Sequence, residues 1–430
     1  MFLSALGAVL RLQRATLARR EDKLIGMNAP SLIEIEARSG VSRAQMPNAF
    51  MIALYRALAP YRGCAHACTY CDGRAEKYFV EGDFARDIAV RRSLPERIAQ
   101  DVTDGAPLRE FGAIAMGSGV TDIYQPVEAE LGLTRRMLEA LLPVGNPISL
   151  QTKSALILRD FDLLARFPKV LVTVTITTLD ATAAAYLEPG ASPPAERLEV
   201  IRRAREAGFH AGILAMPLCP GIGDGDAEIT ALLGEAKRAG AEFVWPGGLT
   251  LRPGRQKETY MAMLAEHWPA LGEHYVQAFS ENRPSGMPLA AHSRALEQRI
   301  ARLIVASGLP ALPPESVHRN LLCRSDSLFV LFSHMQTLYR RRGVDTRALQ
   351  SATDAYGQWL KETRSGLRRK RIAVLPGEPF PLTRILDERL AELCASDGFS
   401  QVCGNEKLAR LARAIVIDGR HFDYVRLQLV

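Results

Sequence analysis

Long apolar runs are missing from this 430-residue sequence, and no stretch approaches the roughly 18 uncharged apolar residues that span a bilayer. Mean hydropathy is −0.02, so a membrane protein is not expected. Cysteine is scarce as well. Seven residues, unevenly spaced, are too few for a disulfide framework in a chain of this size, yet three of them fall within eight positions. Such crowding points to a metal site in a reducing, cytoplasmic setting. A secretory signal is also lacking. The apolar run Met1–Leu12 has Arg11 inside it and Arg14 just beyond, with no basic leader and no small-residue cleavage site. It reads as a short helix, or as sequence upstream of a start at Met27, and nothing in it supports export.

What is present has the composition of a globular protein, 47% hydrophobic and 23% charged, and the length allows two or three domains. The net charge of +7 is unevenly spread: residues 101–250 hold 13 basic and 19 acidic side chains, whereas residues 301–430 hold 20 and 13. Residues 1–100 carry a balance of +5. A polyanion would therefore be held by the flanks rather than by the middle of the chain. An ordinary solvated surface reads the same way.

Between residues 110 and 250, β-branched runs alternate with helical patterns. Strands are expected over Phe111–Met116, Pro147–Thr152, Lys169–Thr177, His210–Met216 (ending at Pro217) and Glu242–Leu251. Helices are expected over Val127–Leu142, Leu158–Phe167, Pro194–Ala207 and Ala227–Ala239. With one more strand just before Cys64 this makes six βα units, hence a parallel, right-handed α/β fold, a partial (β/α)6 TIM-type barrel. Beyond residue 268 the pattern turns mostly helical: Leu289–Ser307, Asp326–Arg342, Leu386–Ala395 and Asn405–Ile415. Arg364–Arg371 is a basic run that reads as a linker or exposed turn, and the chain closes in a hairpin turning at Asp418-Gly419. The expected divisions are an N-terminal extension (1–57), the partial barrel (58–268), a helical extension (269–363) and a small C-terminal domain (364–430) with an outline compatible with a winged helix.

Cys64, Cys68 and Cys71 stand in RGCAHACTYCDGR, a CxxxCxxC spacing. A tight loop of three thiolates can wrap one face of a [4Fe–4S] cluster and leave its fourth iron open. A structural zinc would want a fourth ligand, for which His66 is the nearby candidate.

This spacing, with Tyr70 before the last cysteine, resembles the signature of the radical S-adenosylmethionine (SAM) enzymes. The resemblance runs over residues 58–260. PYRGCAHACTYCDGRAEKYFVEGDF, TDIYQPVE, QTKSALILRD, TITTLDATAAAYLEPG and GGLTLRPGRQK are similar to the branch related to spore photoproduct lyase, the DNA-repair-photolyase-like proteins. It implies that SAM chelates the open iron, and that reduction by a partner such as flavodoxin or ferredoxin releases a 5′-deoxyadenosyl radical that takes a hydrogen atom from the substrate. It further implies a glycine-rich turn at Gly117, Ser118 and Gly119 meeting the SAM amino group, Lys153 pairing with the SAM carboxylate, and Thr175 or Thr177 placing a hydroxyl on the ribose. Tyr70 joins that SAM-binding set. Glu188 and Arg252 are pocket-lining candidates, and Asp122, Tyr124 and Gln125 face the substrate side.

Two positions depart from the lyase pattern. The region Ala115–Ser118 lacks the cysteine that returns a hydrogen atom to the repaired thymine, and Asp72 replaces the tyrosine after the third cluster cysteine. Cys219 could act as a donor from another direction, or be a small buried apolar residue. Cys323, Cys394 and Cys403 could hold a second cluster only if the C-terminal region folds back. Three functions follow: radical chemistry on a nucleic-acid base, the same chemistry on a small molecule or peptide, or a non-enzymatic iron–sulfur redox sensor.

Overall fold

Alternating β-branched segments and amphipathic helices build a sheet whose strand order follows the chain. The computed structural model describes residues 30–78, 82–104, 109–117, 119–370, 372, 377 and 379–430, so the readings for Met1–Leu12, Met27 and Ser118 lie outside the described residues. Ten strands precede the C-terminal helices: β1 (Ser31–Glu34), β2 (Val41–Asn48), β3 (Ala53–Ala57), β4 (Tyr61–Arg62), β5 (Asp87–Val90), β6 (Ile114–Met116), β7 (Ile148–Thr152), β8 (Val170–Thr175), β9 (His210–Leu218) and β10 (Val244–Gly248). The main sheet has the order β10-β9-β8-β7-β6-β3-β2. Every pair from β3 to β10 is parallel, and β2 caps the edge antiparallel to β3. These are the six parallel strands expected of the partial barrel.

The sheet is curved but open. Phe50, in the β2–β3 turn, meets Trp245 of β10 edge-on with ring centroids 4.8 Å apart, so the two ends of the sheet approach each other. β10 and β2 are not hydrogen-bonded to each other. A second sheet, β1-β5-β4, lies beside the first cysteine: β4 ends at Arg62, and the Cys64 N–H donates to the Phe84 carbonyl at 2.9 Å. The loops after β6, β7 and β8 follow the C-terminal ends of parallel strands, where ligands gather in folds of this kind, while the cysteine loop follows β4 of the second sheet.

Several elements differ from their sequence reading, each for a local reason. The helix expected over 127–142 breaks at Gly132, whose φ of 59° and left-handed conformation split it into Glu128–Leu131 and Leu133–Leu141. β9 continues past Pro217 to Leu218. The final hairpin pairs Phe422–Asp423 with Gln428–Leu429, so the turn falls later than Asp418-Gly419.

The largest correction concerns Arg364–Arg371. Its first five residues complete the helix Arg347–Arg368 instead of forming a linker, and Arg364 is only 1% exposed. The Arg364 guanidinium binds Glu110 and Asp326, each at 2.6 Å, and the Gln45 carbonyl at 2.7 Å; Arg368 takes the other Glu110 oxygen at 2.6 Å. A basic run reads as solvated only while its carboxylate partners, remote in sequence, go unseen.

The helices after residue 290 share one apolar core with the strands, from Ile114 and Val172 to Leu331 and Leu390. Backbone bonds cross the same seam: Ala113 N–H to Leu321 at 2.7 Å and Val244 N–H to Pro310 at 3.0 Å. Buried within it, the Tyr424 hydroxyl lies between His318 Nε2 (3.0 Å) and His334 Nδ1 (3.1 Å), while His334 Nε2 meets the Ala49 carbonyl at 3.0 Å. No helix among the described residues is long and apolar enough to cross a membrane.

Candidate active site

The cysteine loop is built to hold a fixed shape before any ligand enters. Cys64 and Cys68 are buried and Cys71 half-buried, all as free thiols. Burial raises all three thiol pKa values, Cys68 to about 12 even with the Lys153 ammonium opposing it. Protons must therefore leave as iron binds. One of the sulfurs already faces a backbone donor that favours thiolate: Gly73 N–H to Cys71 Sγ at 3.4 Å.

Two walls clamp this loop. The first is the segment Leu187–Gly190. Thr69 N–H and Oγ1 both donate to the Leu187 carbonyl (2.9 and 3.3 Å), and Gly190 N–H donates to the His66 carbonyl at 2.9 Å. His66 Nδ1 lies 2.9 Å from the Gly190 carbonyl. The second wall is the loop after β6. Gln125 accepts the Ala65 N–H at 2.7 Å, and Gln125 Nε2 and Thr121 Oγ1 both donate to the Gly63 carbonyl. Asp122 Oδ2 lies 3.2 Å from His66 Nε2.

Asp122, Tyr124 and Gln125 are thus buried, with Asp122 and Gln125 against the cysteine loop and the Tyr124 hydroxyl without a hydrogen-bond partner among the described residues. Cys219 is 1% exposed and packs with Cys68, Tyr70, Leu187 and Tyr260.

Behind the cysteines lies a charged cluster. Tyr70 donates to Glu188, which also receives Thr177 Oγ1 at 3.2 Å and pairs with Arg197. Burial pushes the Glu188 carboxyl up, but Arg197 and Lys153 outweigh it and hold it below its ordinary range. Lys153, at the end of β7, keeps its ammonium 5.8 Å from the Tyr70 ring centroid. Burial works against its charge, yet Cys68, Glu188 and Asp122 raise its pKa.

These groups fit SAM on an internal criterion. The Thr175 hydroxyl is buried with no hydrogen-bond partner among the described residues. A native fold rarely leaves such groups unpaired. Gly117, with φ of 104°, sits where a side chain would be strained, and a methyl group on Gly119 would meet nothing within 4 Å. The cysteine triplet fits a cluster as well. Three free thiols within eight residues are the donor set that a [4Fe–4S] cluster takes.

Sequence reading missed His66 as a bracing residue, Gly190, Arg197 and Gln256. Gln256 Nε2 donates to Tyr70 O (2.7 Å), Thr250 O (2.9 Å) and Asp72 (3.0 Å), and Arg252 pairs with Asp72 at 3.2 Å. All four lie in or near the motif segments; the contacts between His66 and Gly190 and between Gln256 and Tyr70 cross more than a hundred residues and leave no periodic signal, while Arg197 bonds to Thr175, Glu188 and Ser192 within 22 residues.

Cys323, Cys394 and Cys403 are buried in apolar clusters of the C-terminal half.

Comparison with known proteins gives this geometry its class. The radical SAM superfamily pattern matches residues 58–233, and the chain belongs to that superfamily. An uncharacterised protein of Mycobacterium tuberculosis is 30% identical over 324 residues, covering 72% of this chain and 92% of its own length. Another, from Methanocaldococcus jannaschii, is 27% identical over 231 residues, covering 54% and 82%. Among solved structures, a spore photoproduct lyase complexed with dinucleoside spore photoproduct aligns with a TM-score of 0.47 and 16% identity, over 64% of this chain and 79% of that one. The protein is therefore a radical SAM enzyme, of a class that uses a [4Fe–4S] cluster and SAM and needs a reductant.

Proposed function

We propose that Cys64, Cys68 and Cys71 hold the cluster, that Lys153 and Thr175 bind SAM, and that the substrate is a nucleic-acid base. A cluster held there would supply the electron for reductive cleavage of SAM to methionine and a 5′-deoxyadenosyl radical, the hydrogen-abstracting species of this class. The chain's own residues bind, orient and exclude. Lys153 offers its ammonium to the SAM carboxylate, Thr175 its unpaired hydroxyl to the ribose, and Gly117 and Gly119 room for the amino group. Glu188, fixed by Arg197, holds the Tyr70 hydroxyl and keeps the ring beside Lys153. The apolar packing of Cys68, Leu187, Cys219, Leu249 and Leu251 keeps water from this wall.

The observation that carries the cofactor assignment is the buried, unbonded Thr175 hydroxyl at the end of β8, on the strand next to the one that leads into Lys153. Support for nucleic acid comes from the series of lyase-like motifs and the basic flanks. The alternative, a small molecule or peptide, is favoured by one observation: Arg364 and Arg368 are committed to Glu110 and so withdrawn from any polyanion.

The test is anaerobic. Reconstituted enzyme is given SAM and dithionite, and 5′-deoxyadenosine is quantified by mass spectrometry beside Cys68→Ala. Product from the wild type alone is expected; none, despite full iron and SAM binding, would defeat the reading. Retention on single- and double-stranded DNA falling steeply with salt would support nucleic acid, and no retention at low salt would favour the alternative.

A further inference from the structure

Asp122 uses its carboxylate entirely within its own chain. Oδ1 accepts the Tyr124 N–H and the Thr152 hydroxyl, both at 2.9 Å; Oδ2 accepts the Lys153 N–H at 2.7 Å and stands 3.2 Å from His66 Nε2. Thr152 Oγ1 also reaches Oδ2 at 3.1 Å. One buried residue therefore joins three segments remote in sequence: the cysteine loop, the loop after β6, and the end of β7.

Asparagine cannot do the same. Two peptide N–H groups, a hydroxyl and an imidazole nitrogen converge on this side chain, and an amide would turn an –NH2 donor toward part of that set. The Lys153 side chain starts from a backbone that Asp122 holds.

We infer that Asp122 is a positioning residue that sets the distance between Lys153 and the iron left open by the three cysteines, so that a single SAM carboxylate touches both. Lys153 is fixed to Asp122 through its backbone N–H, and the cysteine loop meets the same carboxylate at His66, whose Nε2 stands 3.2 Å from Oδ2. The reach between the two is then a property of one side chain rather than of two independent loops. This rests on the proposed pairing of Lys153 with SAM.

The experiment uses the full chain, reconstituted anaerobically, as wild type, Asp122→Asn, Thr152→Val and Lys153→Met. Iron and sulfide per chain, the SAM dissociation constant by equilibrium dialysis, and the electron paramagnetic resonance spectrum of the reduced cluster with and without SAM are measured. Asp122→Asn is expected to load iron and sulfide as the wild type does, to bind SAM at least tenfold more weakly, and to lose the spectral change that SAM induces. Wild-type affinity together with the wild-type spectral change in Asp122→Asn would overturn the inference. If that variant does not load, Thr152→Val decides, since it removes one hydroxyl from the same carboxylate: severalfold weaker SAM binding at full iron supports the inference, and unchanged binding overturns it. Lys153→Met separates the two claims. If it too binds SAM normally, the pairing of Lys153 with SAM fails; if it alone binds weakly, only the role of Asp122 fails.

Discussion

Gly190 lies so close to Ala65 that a methyl group on it would stand 2.2 Å from the Ala65 carbonyl oxygen. The close approach lets the Gly190 N–H reach the His66 carbonyl and His66 reach back to the Gly190 carbonyl. Backbone, not a flexible side chain, is the obstacle, so the neighbour cannot give way cheaply.

Gly190→Ala is therefore expected to push the cysteine loop out of register. Iron bound per chain after reconstitution should fall severalfold, with far-ultraviolet circular dichroism little changed. Wild-type iron content would show that the loop tolerates the shift.

Thr175→Val separates folding from ligand binding. The native hydroxyl is buried and unpaired, so replacing it with an isosteric methyl removes a desolvated group that forms no bond. Replacement of this kind can be neutral or stabilising. The urea midpoint of the apoprotein should hold or rise, while SAM binding weakens by about three- to tenfold, the worth of roughly one net hydrogen bond. A fall in the midpoint would mean that the hydroxyl has a structural partner.

Arg364 poses the opposite case. Removing it leaves Glu110 and Asp326 buried without their shared cation. Arg364→Met should destabilise by about 3–5 kcal/mol, the usual consequence of breaking a buried pair from one side. The exposed pair Arg347–Asp345 is the control, and Arg347→Met should move the denaturation midpoint little. Equal effects from the two substitutions would contradict the burial of Arg364.

Stability should also fall on mild acidification. Burial holds His334 down at about 4, and His318, in the same chain of hydrogen bonds, well below its ordinary value. Unfolded histidine takes up its proton near pH 6.5. Between pH 6.5 and 4 the unfolded state therefore binds more protons, and stability declines as pH drops by about 1.4 kcal/mol per unit for each histidine. His334→Gln should flatten that slope in urea titrations at pH 7 and pH 5. An unchanged slope would place the pH dependence elsewhere.

The barrel and the cysteine loop were legible in the sequence because their signals are local. β-Branched runs such as Lys169–Thr177 state their own conformation, and three thiolates within eight residues state their own chemistry. What stayed hidden depends on partners remote in sequence. His66 looked like a spare metal ligand until Gly190 and Asp122 were found on its two ring nitrogens. Asp122 and Gln125 looked substrate-facing because they follow a glycine turn; nothing local shows that the Gly63–Ala65 backbone and His66 lie against them. Arg364 read as exposed because its residue type almost always is, and only tertiary packing supplies Glu110 and Asp326.

The seam between the strands and the later helices bears on how the molecule can be handled. Because the Ala113 and Val244 N–H groups bond to the Leu321 and Pro310 carbonyls, and because Leu331 and Leu390 share a core with Ile114 and Val172, a fragment ending at residue 268 would strip the back of the sheet. It would expose strand edges and apolar surface together, the combination that drives aggregation. Crystallisation and enzymology thus call for the chain with its C-terminal helices attached, since a trimmed version would precipitate before it could be loaded with iron.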